Sequence, residues 1–216
     1  MSQREHIQWT DVAGLESVKK ILKEVIVLPF LRPDIFTGIR APPKGVLLFG
    51  PPGTGKTMIG KHAVALIFYY FTLSLFHVDS LLTSRNEQEH ESSRRIKTEF
   101  LIRPQELDAA VKRRFAKRLY IGLPCNAARA QMVRVLLDDQ KHALTDADIE
   151  SIAKLTEGYS GADMKQLCTE AAMGPIRSIA LSDFEAAVRV VRPTVVPEDL
   201  KSYEDWNRHY GSFVFE

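Results

Sequence analysis

The chain has 216 residues, of which 45% are hydrophobic and 26% charged, and its net charge is +2. This composition suits one α/β domain with a small appendage, or two small domains, and argues against disorder. A charge so near zero gives no direct signal for nucleic acid or an anionic membrane as the main partner.

The opening stretch MSQREHIQW has no apolar signal core, so the sequence reads as intracellular, in nucleus or cytoplasm. Leu15, Val18, Leu22, Val25 and Ile26 recur at helical spacing, with Pro29 following; this predicts an amphipathic helix of about three turns. Lys44 to Phe49 (KGVLLF) is a short apolar run closed by Gly50, as expected of a buried parallel strand. A helix start is expected after Gly55. The segment from Ala63 to Phe76, AVALIFYYFTLSLF, is nearly all apolar but shorter than the roughly 18 residues of a membrane span. It reads as a buried strand or helix.

Beyond it, 85–91 is polar and loop-like, while Glu91 to Leu101 and Leu107 to Arg114 read as helices. Arg118 to Ile121 reads as a short strand, and Pro124 marks a boundary. Everything after Pro124 reads as helical, starting with Ala127 to Leu137. Thr145 with Asp148, Ser160 with Asp163, and Ser182 with Glu185 each place a hydroxyl three residues before a carboxylate, the capping-box spacing. Pro197 to Tyr210 is expected to be a last helix with Tyr203, Trp206 and Tyr210 on one face. Cys125 and Cys168 are far apart and without metal-ligand spacing, and read as reduced core thiols.

The chemistry concentrates in Gly50-Pro51-Pro52-Gly53-Thr54-Gly55-Lys56-Thr57. A triphosphate needs many donors at close range. Glycines let backbone N–H groups curl around phosphate, and the following helix adds the positive end of its dipole. Lys56 is placed to reach the phosphates, and Thr57 to ligate Mg²⁺. Hydrolysis needs more, namely a metal-holding carboxylate on a neighbouring strand and a group that orients water. The nearest candidate strand, Leu73 to Asp79, ends without an acidic pair, which leaves Asp79 as the remaining carboxylate for the metal.

HIQWTDVAGLESVKKILKEVIVLPFLRPDIFTGIRAPPKGVLLFGPPGTGKT resembles the meiotic clade of AAA ATPases, the fidgetin, fidgetin-like, spastin and katanin proteins. EHESSRRIKTEFL, GADMKQLCTEAAMGPIRS and VRPTVVPEDLKSYEDWNRHYG are most similar to its fidgetin-like branch. The resemblance implies a P-loop NTPase (AAA) three-layer α/β/α domain over residues 1–123, here truncated, then a small all-helical lid with a terminal helix over 124–216. It implies ATP and Mg²⁺ as cofactors, self-association into a hexameric ring, and remodelling of a protein substrate such as tubulin or recombination proteins. Residue by residue, Val12 and Ala13 match the segment that packs on adenine. Gly50, Pro52, Gly53, Thr54, Gly55, Lys56, Thr57 and Met58 match the nucleotide loop. Read alone, Arg113 and Arg114 are more readily a solvated basic helix end; with the resemblance they match arginine fingers that act in a neighbouring subunit. Asp163 matches a lid residue near the nucleotide, and capping explains it as well.

The chain departs from this pattern at two internal deletions. The stretch that holds the pore loop is replaced by the shorter AVALIFYYFTLSLF. Phe76 and His77 stand where the family has its acidic pair, and Ile102 stands at the sensor asparagine. Phe76 cannot hold Mg²⁺, so hydrolysis is expected to drop by orders of magnitude. Three readings therefore stand at this point: a fidgetin-like ATPase, a non-hydrolysing ATP-binding interaction subunit, or a non-functional fragment produced by exon skipping or a faulty gene model.

Overall fold

A computed structural model of the chain describes residues 13–43, 45–63, 115–173 and 177–212. The expected apolar segment 64–76 and the two helices expected between 91 and 114 lie outside these residues.

The first helical stretch is α1 (Glu16–Leu22), a π-helical turn (Lys23–Val27) and α2 (Leu28–Leu31). Pro29 therefore does not end the helix, contrary to the sequence expectation. An interior proline removes one backbone donor and crowds the carbonyl four residues before it. Here the π turn widens the spiral just ahead of it: the N–H of Leu28 donates to the Lys23 carbonyl, five residues back, and the axis continues through Pro29.

Strand β1 (Val46–Phe49) runs parallel to β2 (Lys117–Tyr120), with Val46 opposite Lys117 and Phe49 opposite Tyr120. Between them in sequence, residues 56–63 form α3. The period of two along a strand sorts these side chains onto two faces. Val46, Leu48, Leu119 and Ile121 pack with Val18 and Leu22 of α1 and Ile59 of α3. Leu47 and Phe49 face the other way and meet Trp206, Tyr203 and Tyr120. Trp206 belongs to α8 (Pro197–Tyr210), so the two strands lie between α1 and α3 on one side and α8 on the other. This is the three-layer arrangement.

Helices α4 (Asn126–Leu137), α5 (Asp146–Leu155), α6 (Gly161–Met173) and α7 (Leu181–Val190) form a second cluster. Its centre is Val133, Ile152, Met164, Leu167 and Phe184, all fully buried; each such side chain contributes about 1.5–3 kcal/mol of burial. Thr145 caps α5 as expected. Its Oγ1 accepts from the Asp148 N–H at 3.2 Å, and the Asp148 carboxylate accepts from the Thr145 N–H at 2.8 Å. Ser160 and Asp163 make the same reciprocal pair at 3.3 and 2.9 Å.

Ser182 with Glu185 does not cap α7. The helix starts at Leu181 with Ala180 at its cap, and the Asp183 carboxylate accepts the Ala180 N–H at 2.8 Å. Alanine offers no side-chain acceptor, so only half of the reciprocal pair forms. Arg177 completes the arrangement by donating to Asp183 at 2.8 Å.

Cys168 is buried, as expected, but Cys125 is exposed. It sits at the cap of α4, where the chain turns from β2 toward the helices.

Arg129 holds that turn. It is 6% exposed; its guanidinium donates to the Pro124 carbonyl at 2.7 Å and to the Ala153 carbonyl at 2.8 and 3.1 Å. Burial lowers its pKa, with Glu157 and Cys125 acting in the opposite direction. One side chain thus ties the exit from β2 to the end of α5.

Candidate functional site

The loop expected to hold phosphate leaves the C-terminal end of β1 and enters α3. This gives the strand, turn and helix context that the motif needs. Gly53 and Gly55 have φ of 76° and 86°, a left-handed region that side-chain-bearing residues adopt only at a cost. Pro51 and Thr54 are buried, while Pro52 and Gly53 face outward. Thr54 Oγ1 donates to the Pro51 carbonyl at 2.9 Å and pins the turn.

Lys56 is 9% exposed. Its ammonium donates to the carbonyls of Gly50 and Pro51 at 3.1 and 2.7 Å, so it lies within the curve of the loop. A buried ammonium has to be hydrogen-bonded, and here the loop's own carbonyls satisfy it. The Gly55 carbonyl accepts the Ile59 N–H at 3.0 Å, which places Lys56, Thr57 and Met58 on the first turn of α3. Thr57 and Met58 are exposed. The positive end of α3 and the Lys56 ammonium therefore lie at one place, which fits an anionic phosphate.

Of the two residues expected to hold Mg²⁺, Thr57 is among the described residues and is exposed. A hard divalent cation needs further oxygen ligands. Asp79 lies outside the described residues, as do Val12, Arg113 and Arg114.

Ala13 is 4% exposed. It opens a segment that docks on α4: the Gly14 N–H donates to Gln131 Oε1 at 3.3 Å, and a methyl group on Gly14 would come within 2.9 Å of Ala128 Cβ.

The start of α6 touches the loop directly, where the family resemblance puts Asp163 near the nucleotide and local spacing alone reads only a cap. The N–H of Ala162 donates to the Gly53 carbonyl at 3.0 Å. A Cβ on Gly53 would lie 2.7 Å from Ser160 Oγ. Asp163, 1% exposed, stands behind this contact. Its Oδ2 accepts from the Ser160 N–H and hydroxyl at 2.9 and 2.8 Å, and from the Thr194 N–H and hydroxyl at 3.3 and 3.2 Å. The hydroxyl-to-carboxylate spacing signalled the cap, but nothing in it pointed to Thr194, 31 residues away.

Residues 146–191 match the AAA+ lid domain, the span of α5 to α7. The chain is 48% identical to fidgetin-like protein 1 of Caenorhabditis briggsae over 279 residues, covering 98% of this chain and 47% of that protein. It spans about half the length of the curated relatives it matches. That alignment is longer than the 216 residues of this chain, so it opens gaps here, in line with the internal deletions. Among solved structures, the FIGL-1 AAA domain in complex with ADP is similar at a TM-score of 0.77 and 45% identity, over 96% of this chain and 92% of that one. A katanin structure solved to explain self-assembly is similar at a TM-score of 0.69 and 28% identity, over 93% and 90% of the two chains. No helix among the described residues is long and apolar enough to cross a membrane. By sequence and by fold, the chain belongs to the fidgetin-like branch of the AAA ATPases.

Proposed function

We propose that this chain is a nucleotide-binding AAA module that holds ATP or ADP at Gly50 to Thr57 and hydrolyses ATP slowly or not at all. The carrying observation is the loop itself: left-handed Gly53 and Gly55 around a buried Lys56 at the head of α3. The ADP complex of the similar FIGL-1 domain supports the choice of ligand. Val12 and Ala13 are assigned to the adenine side, and Gly50, Pro52, Gly53, Thr54, Gly55 and Met58 to the phosphate side. Thr57 is assigned to Mg²⁺, with Asp79 as its only nearby carboxylate in sequence.

Slow turnover follows from composition. Phe76 and His77 stand where relatives carry the acidic pair, and a metal clamp together with a water-orienting group supplies much of phosphoryl-transfer catalysis. Arg113 and Arg114 are assigned as fingers that act in a neighbouring subunit, and self-assembly of the similar katanin supports an assembled state. The chain is on this reading a regulatory or interaction subunit of a fidgetin-like assembly, in nucleus or cytoplasm, whose protein substrate would be tubulin or a recombination protein.

Equilibrium titration with a fluorescent ATP analogue tests the binding claim. Lys56→Ala removes the one buried cation of the loop and should weaken binding about 30-fold or more, equivalent to roughly 2 kcal/mol. No binding by the unsubstituted chain, or equal binding by both, overturns the assignment.

A further inference from the structure

The contacts around Asp163 form a closed circuit with the nucleotide loop at both ends. On one side, Gly53 meets Ala162 and Ser160, and Ser160 shares the Asp163 carboxylate with Thr194. Thr194 lies in the short segment 191–196 that leads from α7 into α8. That segment is held a second time, by the Tyr159 hydroxyl donating to the Val191 carbonyl at 2.6 Å. Tyr159 immediately precedes Ser160. On the other side, α8 returns to the sheet, and Trp206 meets Phe49 edge-on with ring centroids 4.4 Å apart. Phe49 immediately precedes Gly50. The end of α8 is fastened as well: Ser212 N–H donates to the Arg118 carbonyl at 2.8 Å, and Arg118 N–H to Ser212 Oγ at 2.7 Å.

We propose that Asp163 is a positioning residue which, through Thr194, couples occupancy of the phosphate loop to the seating of the C-terminal helix α8 on β1. This rests on the nucleotide-binding reading above. A buried carboxylate with four donors on one oxygen is demanding in geometry, because donors that drift leave it unsatisfied. Phosphate in the loop fixes Gly53, Gly53 fixes the start of α6, and Asp163 passes that restraint to Thr194. The same restraint reaches Phe49 from the other end of the loop, so α8 is held between two points that both respond to the ligand. Coupling of this kind travels through contiguous hydrogen-bonded and packed groups, and it is reciprocal: ligand steadies the helix, and a seated helix favours ligand.

The test is amide hydrogen exchange across residues 197–210 of the full chain, with and without saturating MgADP, with ADP affinity measured in parallel. In the unsubstituted chain ADP should slow exchange in α8 about fivefold or more. In Tyr159→Phe with Thr194→Val, which removes both side-chain hydroxyl bonds that hold the 191–194 segment and leaves the loop residues intact, ADP should still bind while the slowing in α8 shrinks below about twofold. Thr194→Ser, which keeps the hydroxyl, should retain the slowing. Bound ADP with unchanged α8 exchange in the unsubstituted chain overturns the coupling alone. Full slowing in the double variant overturns the route through Thr194 and Tyr159. Failure of ADP to bind the unsubstituted chain overturns the nucleotide reading and the coupling with it.

Discussion

Replacing two glycines of the same loop by alanine separates backbone strain from contact with the lid. Gly53 and Gly55 share left-handed φ, 76° and 86°, so alanine pays a similar conformational penalty at either, roughly 1–2 kcal/mol. Their surroundings differ. Among the described residues, a Cβ on Gly55 would meet Met58 Cε at 3.7 Å, which is ordinary contact with a flexible side chain. A Cβ on Gly53 would stand 2.7 Å from Ser160 Oγ and 3.0 Å from Ala162 Cβ. Neither neighbour yields easily. Ser160 is fully buried and bonded to Asp163, and Ala162 is tied to Gly53 by its backbone. Overpacking against such neighbours adds about 1–3 kcal/mol. Gly55→Ala should therefore destabilise by about 1–2 kcal/mol, and Gly53→Ala by about 1–3 kcal/mol more. In urea unfolding of the nucleotide-free chain followed by circular dichroism, a gap of about 2 kcal/mol separates the two midpoints by about 1 M, taking a slope of about 2 kcal/mol per M. Coincident midpoints would show that the lid does not rest on the loop at Gly53, and the circuit through Asp163 would lose its first link.

Arg129→Met should destabilise by about 1–3 kcal/mol, because the half-buried Pro124 carbonyl loses its guanidinium donor and the buried Ala153 carbonyl keeps only the longer bond from Thr156 Oγ1 among those described; differential scanning calorimetry would register this as a lower unfolding temperature. In a thiol-reagent titration of the native chain Cys125 should react promptly, while Cys168, 4% exposed, should react only on unfolding. Stability should decline at alkaline pH. Burial pushes the Cys168 thiol from 9.0 to about 12, and burial together with Glu204 and Tyr203 pushes the Tyr120 hydroxyl from 10.0 to about 12. The unfolded chain releases both protons at the ordinary values while the folded chain keeps them, so their contribution is complete below about pH 9 and is lost as pH climbs toward 12. Urea midpoints taken at steps between pH 8 and pH 11 should fall, and less steeply in Tyr120→Phe; equal slopes in the two chains would remove Tyr120 from the account.

What could be read from the sequence was whatever is specified locally. The strand before Gly50, the helix after Gly55, the caps at Thr145 and Ser160, and the span of α8 all follow from residues adjacent in the chain. The errors came where the deciding partner is remote or where two local rules compete. Pro29 reads as a stop, yet the π turn at Lys23–Val27 absorbs it. Ser182 has the right spacing to Glu185, but Arg177 and Asp183 fix the helix cap two residues earlier, at Ala180. Cys125 has the composition of a core thiol but falls at an exposed helix cap. The lid's grip on Gly53, and Thr194's bond to Asp163, pair residues far apart in sequence, which no local pattern encodes. The family resemblance reached further than the local rules because long motifs carry the tertiary arrangement with them. Where the chain departs from the family, at Phe76, His77 and Ile102, that same resemblance identifies the groups a working ATPase would need.

On the proposed reading the loop holds nucleotide and turns it over slowly or not at all. Incubating the chain with MgATP labelled at the γ-phosphate, separating protein from free nucleotide, and identifying the bound species by anion exchange tests both halves in one measurement. The account predicts that the bound nucleotide is recovered intact as ATP, and that Lys56→Ala retains little or none. Rapid, multiple-turnover release of phosphate that disappears in Lys56→Ala would show that this chain is a working ATPase without the acidic pair and would contradict that reading.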